Sequence, residues 1–171
     1  MPKTKIILDA DVIIHFSKGE KLSILPQIFP QYDFVVLDVV HRELKGEIKY
    51  QINNQIDKLK NISLLPFNPT GEERKEYALL TKTRGKGESA CLVYCRYNHD
   101  VIGSTNLKDI ADYCQIYGII YLTTFDFLYY AVKKGLISNA EANGFIQQVK
   151  EKDSKLPYIN DFSEFMSRVI L

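Results

Sequence analysis

Short apolar runs alternate with amphipathic segments along most of this chain. Five runs rich in Ile, Val, Leu and Phe have the length of buried strands, and they fall at about residues 4–9, 34–37, 62–67, 101–103 and 119–122. Between them, apolar residues recur at helical spacing, which predicts helices at about residues 11–18, 21–29, 38–59, 70–83, 86–97, 106–117, 125–134 and 138–150. Strands that alternate with helices indicate an α/β fold, a three-layer sandwich whose central parallel sheet has about five strands.

Several helix ends carry recognisable signals. Thr70 and Ser138 each precede a Glu by three residues, which is the spacing of a capping box. Thr124 is the predicted N-cap of the helix at 125–134, and Gly135 is predicted to end that helix in a left-handed conformation.

The length of the chain, 171 residues of which 46% are hydrophobic, predicts one domain with a substantial core. We place a nuclease-like domain at residues 1–150 and a C-terminal extension at 151–171. The extension is predicted to end in an amphipathic helix at 161–171, whose apolar face packs on the domain or on a partner such as a second copy of the chain.

Composition restricts the function classes. A formal net charge of +1 excludes a global basic field, so any nucleic-acid binding must come from a local patch. The three cysteines have no zinc-like spacing and are expected to be reduced core residues of a cytoplasmic protein. No apolar stretch approaches the roughly 18 residues that a membrane span needs, so no membrane association is expected.

Two carboxylates, Asp9 and Asp11, follow the first predicted strand. A carboxylate among Ile, Leu and Val must be hydrogen-bonded, paired or bound to a cation, or else it takes up a proton. In open parallel sheets, ligands bind at the carboxyl ends of the strands, so Asp9 lies where a site is expected. Capping of the following helix is the alternative, and it explains one of the two acids well.

Further polar residues fall at the ends of predicted elements, namely Glu43, Glu88, Asn106, Asp109 and Asp126. Connections of a parallel sheet emerge on one side, where clustered carboxylates repel each other unless a cation neutralises them, and oxygen ligands favour Mg²⁺ or Mn²⁺. Such a site lowers the pKa of a bound water and holds a phosphodiester for in-line attack. Each residue also has a local alternative as a helix cap, a first-turn acid or a solvated side chain.

The order of several short motifs resembles that of the PIN-domain family over about residues 4–150. The motifs are Leu-Asp-Ala-Asp-Val-Ile-Ile (8–14), Val-Val-His-Arg-Glu-Leu (39–44), Gly-Lys-Gly-Glu-Ser-Ala (85–90), Ser-Thr-Asn-Leu-Lys-Asp (104–109), Tyr-Gly-Ile (117–119) and Lys-Lys-Gly-Leu-Ile (133–137). The resemblance implies a three-layer fold and an Mg²⁺- or Mn²⁺-dependent endoribonuclease, such as the toxin of a bacterial toxin–antitoxin pair. RNA and an antitoxin protein are then the expected partners.

The resemblance also implies roles for individual residues. Asp9, Glu43 and Glu88 match the first three acids of the family, whereas the next acid falls on the uncharged Asn106. Either Asp109 or Asp126 then substitutes, or the site binds metal weakly; the extra charge of Asp11 is expected to compensate. The expected catalytic residues are Asp9, Glu43, Glu88 and Asp126, and the expected metal ligands are Asp9, Asp11, Glu88, Asn106, Asp109 and Asp126.

Three basic residues near this predicted site, Arg84, Lys86 and Lys108, are expected to hold the RNA backbone, with solvation as the alternative. His15 is expected to be satisfied by a hydrogen-bond partner rather than to join the site.

Two other functions fit the sequence. One is a phosphatase of the haloacid dehalogenase type, with Asp9 as nucleophile and Ser104 or Thr105 as its phosphate-binding hydroxyl. The other is a PIN-like module that has lost catalysis at Asn106 and binds nucleic acid or protein.

Overall fold

All five predicted strands form, and they join in one parallel sheet. The computed structural model describes residues 2–171. Its strands are β1 (Lys5–Leu8), β2 (Asp33–Leu37), β3 (Ser63–Leu65), β4 (Val101–Gly103) and β5 (Tyr121–Leu122), in the order β3-β2-β1-β4-β5. In the central strand, Ile6, Ile7 and Leu8 are fully buried, because both faces of a parallel sheet are covered by helices.

Nine α-helices lie in the described part of the chain. They are α1 (Ala10–Lys18), α2 (Leu25–Ile28), α3 (Asp38–Glu43), α4 (Gly46–Asn53), α5 (Gly71–Leu80), α6 (Lys86–Asn98), α7 (Leu107–Tyr117), α8 (Thr124–Lys133) and α9 (Asn139–Glu151). A π-helical turn, Asn54–Lys58, follows α4. The helix α6 contacts α3, α5 and α7, whereas α8 contacts α1, α2 and α9. These two groups of helices cover the sheet and confirm the three-layer α/β/α architecture.

The predicted helix ends are only partly correct. Ser138 and Glu141 form the expected capping box, and Gly135 adopts a φ of +73° after α8. The box at Thr70 is wrong, because Gly71 takes a φ of +54° where a capping box needs a helical residue, and the Thr70 side chain accepts no capping bond. The N-cap of α8 is Thr123 rather than Thr124.

The predicted C-terminal helix at 161–171 is also wrong, since only one 3-10 turn, Phe162–Glu164, forms there. Polar groups of this tail bond to the domain: Asp161 accepts hydrogen bonds from Asn139 and Asn143 of α9, and the Phe162 amide donates to Asn143. The Phe162 and Phe165 rings pack on Phe125 of α8. The tail therefore lies on the chain's own domain as an extended segment.

The three cysteines are buried and free, as expected. Among residues 2–171, no helix combines the length and the apolar character required to cross a bilayer.

Candidate active site

The candidate site lies where the sheet order changes direction. The strand β2 pairs with one edge of β1, and β4 pairs with the other edge. The strand β5 then pairs with the outer edge of β4, so the sheet grows in both directions from β1. Such a switch point leaves a crevice beyond the carboxyl ends of the strands, where ligands bind in open parallel sheets. Asp9 follows β1 directly, and residues 104–106 follow β4.

Three consecutive residues of the loop after β4 contact three acids, two at the start of α1 and one on α6. The Ser104 hydroxyl donates to Asp9 Oδ2 at 3.2 Å, and the Thr105 amide donates to Asp11 Oδ2 at 2.8 Å. The side-chain amide of Asn106 donates to Glu88 Oε1 at 3.3 Å. The loop therefore gathers the end of β1, the first turn of α1 and the first turn of α6 around one crevice.

Local backbone geometry orients the two aspartates. Asp9 is the N-cap of α1 and its Oδ1 accepts the Ala10 amide at 2.8 Å, while Asp11 Oδ1 accepts the Val12 amide at 2.7 Å. Helix capping and a place in the site are thus compatible for Asp9, because one oxygen serves the helix and the other faces the loop.

Burial and mutual repulsion perturb these acids. Burial, followed by the charge of Asp11 and a smaller effect of Glu88, raises the pKa of Asp9 to about 8. The pKa of Glu88 rises to about 7, through burial and then the charges of Asp109 and Asp11. Burial is also the main cause that raises the pKa of Asp11. Without a cation, the group therefore holds protons at neutral pH that isolated carboxylates release.

Asn106 separates two carboxylates. Its side-chain nitrogen lies 3.3 Å from Glu88 Oε1 and 2.8 Å from Asp109 Oδ2, and it donates to both. Arg84 approaches from the other side, where its Nε donates to the Asp109 carbonyl at 2.7 Å, and its charge lowers the pKa of Glu88. The Asn106 side chain thus donates hydrogen bonds to Glu88 and Asp109, whereas a carboxylate at this position would repel both.

A comparison with known families identifies the chain. A family model described as a PIN domain matches residues 5–157, which is most of the sequence. The chain belongs to the PIN-domain family. PIN domains are generally nucleases, so the crevice beside β1 and β4 belongs to a nuclease-type fold. A search of curated proteins found no match to the chain.

In this PIN domain, Glu43 contacts the start of α6. Its Oε1 accepts the Gly87 amide at 3.0 Å. The N-cap residue of α6, Gly85, has no side chain that could accept this amide, so Glu43 provides the capping bond. Gly87 leaves room for this contact, because a Cβ there would lie 2.6 Å from Glu43 Oε2. Glu43 thus borders the helix that carries Glu88, but its hydrogen bond is to the backbone.

Asp126 is not brought together with the three acids. Its Oδ2 accepts the amide and the hydroxyl of Thr123 at 2.8 and 2.9 Å in a capping box, and its Oδ1 accepts the Ser167 hydroxyl of the tail at 2.7 Å. The hydrogen-bond partners of Asp126 therefore lie on α8 and the tail and not on the loop of residues 104–106. The Thr123–Asp126 spacing of this capping box is present in the sequence, one residue before the predicted cap at Thr124.

The acids are neighbours without being a completed coordination shell. Among residues 2–171, no three His, Cys, Asp or Glu side chains converge closely enough to hold a metal ion. The donor chemistry nevertheless fits a divalent cation, because Asp9, Asp11 and Glu88 present hard oxygens and the charge of Asp11 raises the pKa of both Asp9 and Glu88, a repulsion that a cation would relieve.

The basic residues lie at the rim of the crevice. Lys86 and Lys108 are exposed in the first turns of α6 and α7, and Arg84 is half-buried beside Asp109. Ser104, which we had considered only as a phosphatase hydroxyl, holds Asp9 instead. A hydroxyl directly after a buried strand was the available sequence signal.

Proposed function

We propose that this PIN domain is a metal-dependent endoribonuclease in which Asp9, Asp11 and Glu88 bind Mg²⁺ or Mn²⁺. The observation that carries the proposal is the loop of residues 104–106, whose successive members contact the three acids in turn. A structural cap would account for one of these contacts. It would not account for the approach of Glu88, on α6, to the two aspartates at the start of α1 in spite of the repulsion between their charges.

The cation would supply positive charge that stabilises the charge developing on a phosphodiester. The chain's own residues orient the ligands, because Ser104 holds one oxygen of Asp9 and the Thr105 amide holds one oxygen of Asp11. In this proposal Asp11 provides the negative charge that Asn106 lacks. Asp109 and Asn106 border Glu88, whereas Glu43 positions the helix on which Glu88 lies.

RNA is the proposed substrate, held by its phosphates. Two helix N-termini, those of α6 and α7, border the acids, and the positive end of a helix dipole attracts phosphate, although Glu43 already accepts the Gly87 amide of α6. Lys86 and Lys108 in these first turns add charge, as does Arg84. Because the net charge of the chain is only +1, we expect this local patch to provide most of the electrostatic attraction.

A titration with Mn²⁺ tests the metal site. We expect a binding isotherm for the wild-type chain that Asp9→Asn and Glu88→Gln abolish, with Glu47→Gln, an exposed acid on α4, as the matched control. Cleavage of a labelled single-stranded RNA should require Mn²⁺ and fail in the same two variants, while a DNA of the same sequence tests substrate class. An isotherm that Asp9→Asn leaves unchanged contradicts the proposal.

One observation favours a second candidate, a PIN module that binds RNA without cutting it. Asn106 removes an acid expected from the family resemblance, and no three-acid metal group is formed among residues 2–171. Wild-type protein that binds the RNA in the presence of Mn²⁺ and leaves it intact would support this candidate. The phosphatase alternative predicts an aspartyl-phosphate mimic at Asp9 with beryllium fluoride, whereas the nuclease proposal predicts none.

We also propose a toxin role in the cytoplasm, with an antitoxin and a second copy of the chain as partners. The buried free cysteines suit a reducing compartment, and exposed apolar side chains such as Ile116, Met166 and Ile170 suit a protein contact. An adjacent reading frame for a small DNA-binding protein, together with the size of the chain in solution, tests these points.

A further inference from the structure

A chain of hydrogen bonds runs from α1 through α8 to the loop after β4. His15 Nδ1 lies 2.8 Å from Thr124 Oγ1, which lies 2.9 Å from Thr105 Oγ1. The Thr124 amide donates to Thr105 Oγ1 at 3.0 Å, and the Thr105 amide donates to Asp11 Oδ2 at 2.8 Å. His15 and Thr124 are buried, so the bond between them is shielded from water, whereas Thr105 and Asp11 are half-buried.

The direction of each bond follows from the state of the imidazole. Burial is the main cause that lowers the pKa of His15 to about 4, so the ring is neutral and has one donor and one acceptor. With Nδ1 as the acceptor, the Thr124 hydroxyl donates to the His15 ring and the Thr105 hydroxyl donates to Thr124 Oγ1. In this arrangement the hydroxyl protons of Thr105 and Thr124 each have one acceptor.

We propose that His15 is a positioning residue for the acidic site, acting through the hydroxyls of Thr124 and Thr105. The two bonds on Thr105 Oγ1 fix its side chain, and its amide is thereby held on Asp11. Ser104, which precedes Thr105 in the same loop, donates its hydroxyl hydrogen bond to Asp9. A loss of the Thr124 hydroxyl therefore loosens the loop that orients both aspartates, although none of these three residues touches the cation. The inference rests on the proposed nuclease function.

Matched variants at Thr124 test the inference. Thr124→Val keeps the shape and removes the hydroxyl, whereas Thr124→Ser keeps the hydroxyl. We expect the Val variant to bind Mn²⁺ about tenfold more weakly than wild type, as removal of an outer partner of a ligand typically does, and the Ser variant to stay within about twofold. His15→Phe and His15→Gln form a second pair in case Thr124→Val fails to fold, since Gln retains an acceptor.

A second readout separates this inference from the metal proposal. In metal-free protein, hydrogen exchange of the Thr105 amide, followed by NMR, should accelerate in Thr124→Val and His15→Phe and remain slow in Thr124→Ser. If wild-type protein binds no Mn²⁺ but the amide responds in this way, the nuclease proposal fails and the positioning chain stands. Equal Mn²⁺ affinities and an unchanged Thr105 amide in the Val and Phe variants overturn the inference. Equal losses in Thr124→Val and Thr124→Ser overturn it as well, because packing and not the hydroxyl would then be responsible.

Discussion

Asn106 is the residue whose replacement best tests the electrostatics of the site. In Asn106→Asp, a carboxylate oxygen takes the place of a nitrogen that lies 3.3 Å from Glu88 Oε1 and 2.8 Å from Asp109 Oδ2. Two donated hydrogen bonds are lost, and two repulsive pairs replace them. Without metal the substitution should therefore destabilise the protein, and with metal it should add a ligand.

The size of the effect follows from the distances. At about 3 Å, each repulsive pair costs about 1.4 kcal/mol with the dielectric constant of water and about 5 kcal/mol with an effective value near 20. Asn106 is exposed, so the lower value applies, and rotation of the new carboxylate relieves part of it. We expect the metal-free Asn106→Asp protein to lose about 2 kcal/mol of unfolding free energy at pH 8, where Glu88 is ionised.

The assay combines urea denaturation with a Mn²⁺ titration. Saturating Mn²⁺ should restore the stability of Asn106→Asp, and its affinity for Mn²⁺ should rise about tenfold, because the number of charged ligands tunes affinity. Asn106→Ala is the control, since it removes the donors without adding charge, and it should lose about 1 kcal/mol and gain no affinity. A metal-free Asn106→Asp protein as stable as wild type, or an unchanged Mn²⁺ affinity, would refute the reasoning.

Three further predictions concern the acids and their supports. The pKa values of Asp9 and Glu88 are raised in the folded protein to about 8 and about 7 from 3.8 and 4.5, so the folded state binds more protons than the unfolded state. Metal-free protein should therefore lose stability as the pH rises from about 4 to about 8, and Asp9→Asn should flatten this dependence in urea unfolding at a series of pH values. Gly87→Ala should displace Glu43, whose Oε2 would lie 2.6 Å from the new Cβ. The loss of the charge-assisted hydrogen bond to the residue 87 amide should outweigh the gain in helix propensity, so the variant should be about 1 kcal/mol less stable than wild type. A stabilised variant in thermal unfolding would contradict this. Asp126→Asn should cost about 1 kcal/mol through the capping box and leave the Mn²⁺ isotherm unchanged, because Asp126 is bonded to Thr123 and Ser167 and not to the loop of residues 104–106. A weaker isotherm would return Asp126 to the ligand set.

Capping shows how closely local pattern and tertiary context compete. Ser138 and Glu141 form their box as the spacing predicts, because both partners lie within one turn. At α8 the same spacing exists one residue earlier than we predicted, and Thr123 caps while Thr124 faces the interior. A shift of one residue turns a side chain by about 100° around the helix, so it decides which threonine meets His15.

The sequence by itself determined the layered α/β fold and the place of Asp9. Apolar runs without alternation require cover on both faces, and the carboxyl end of such a strand in a parallel sheet is where ligands bind. Tertiary structure alone decided which polar groups meet. Ser104 reaches Asp9 across 95 residues, Glu43 reaches the Gly87 amide across 44, and Asp126 is bound by Ser167 across 41. Such pairings depend on how the elements dock, and an acid at an element end bonds to whichever donor that docking brings within about 3 Å.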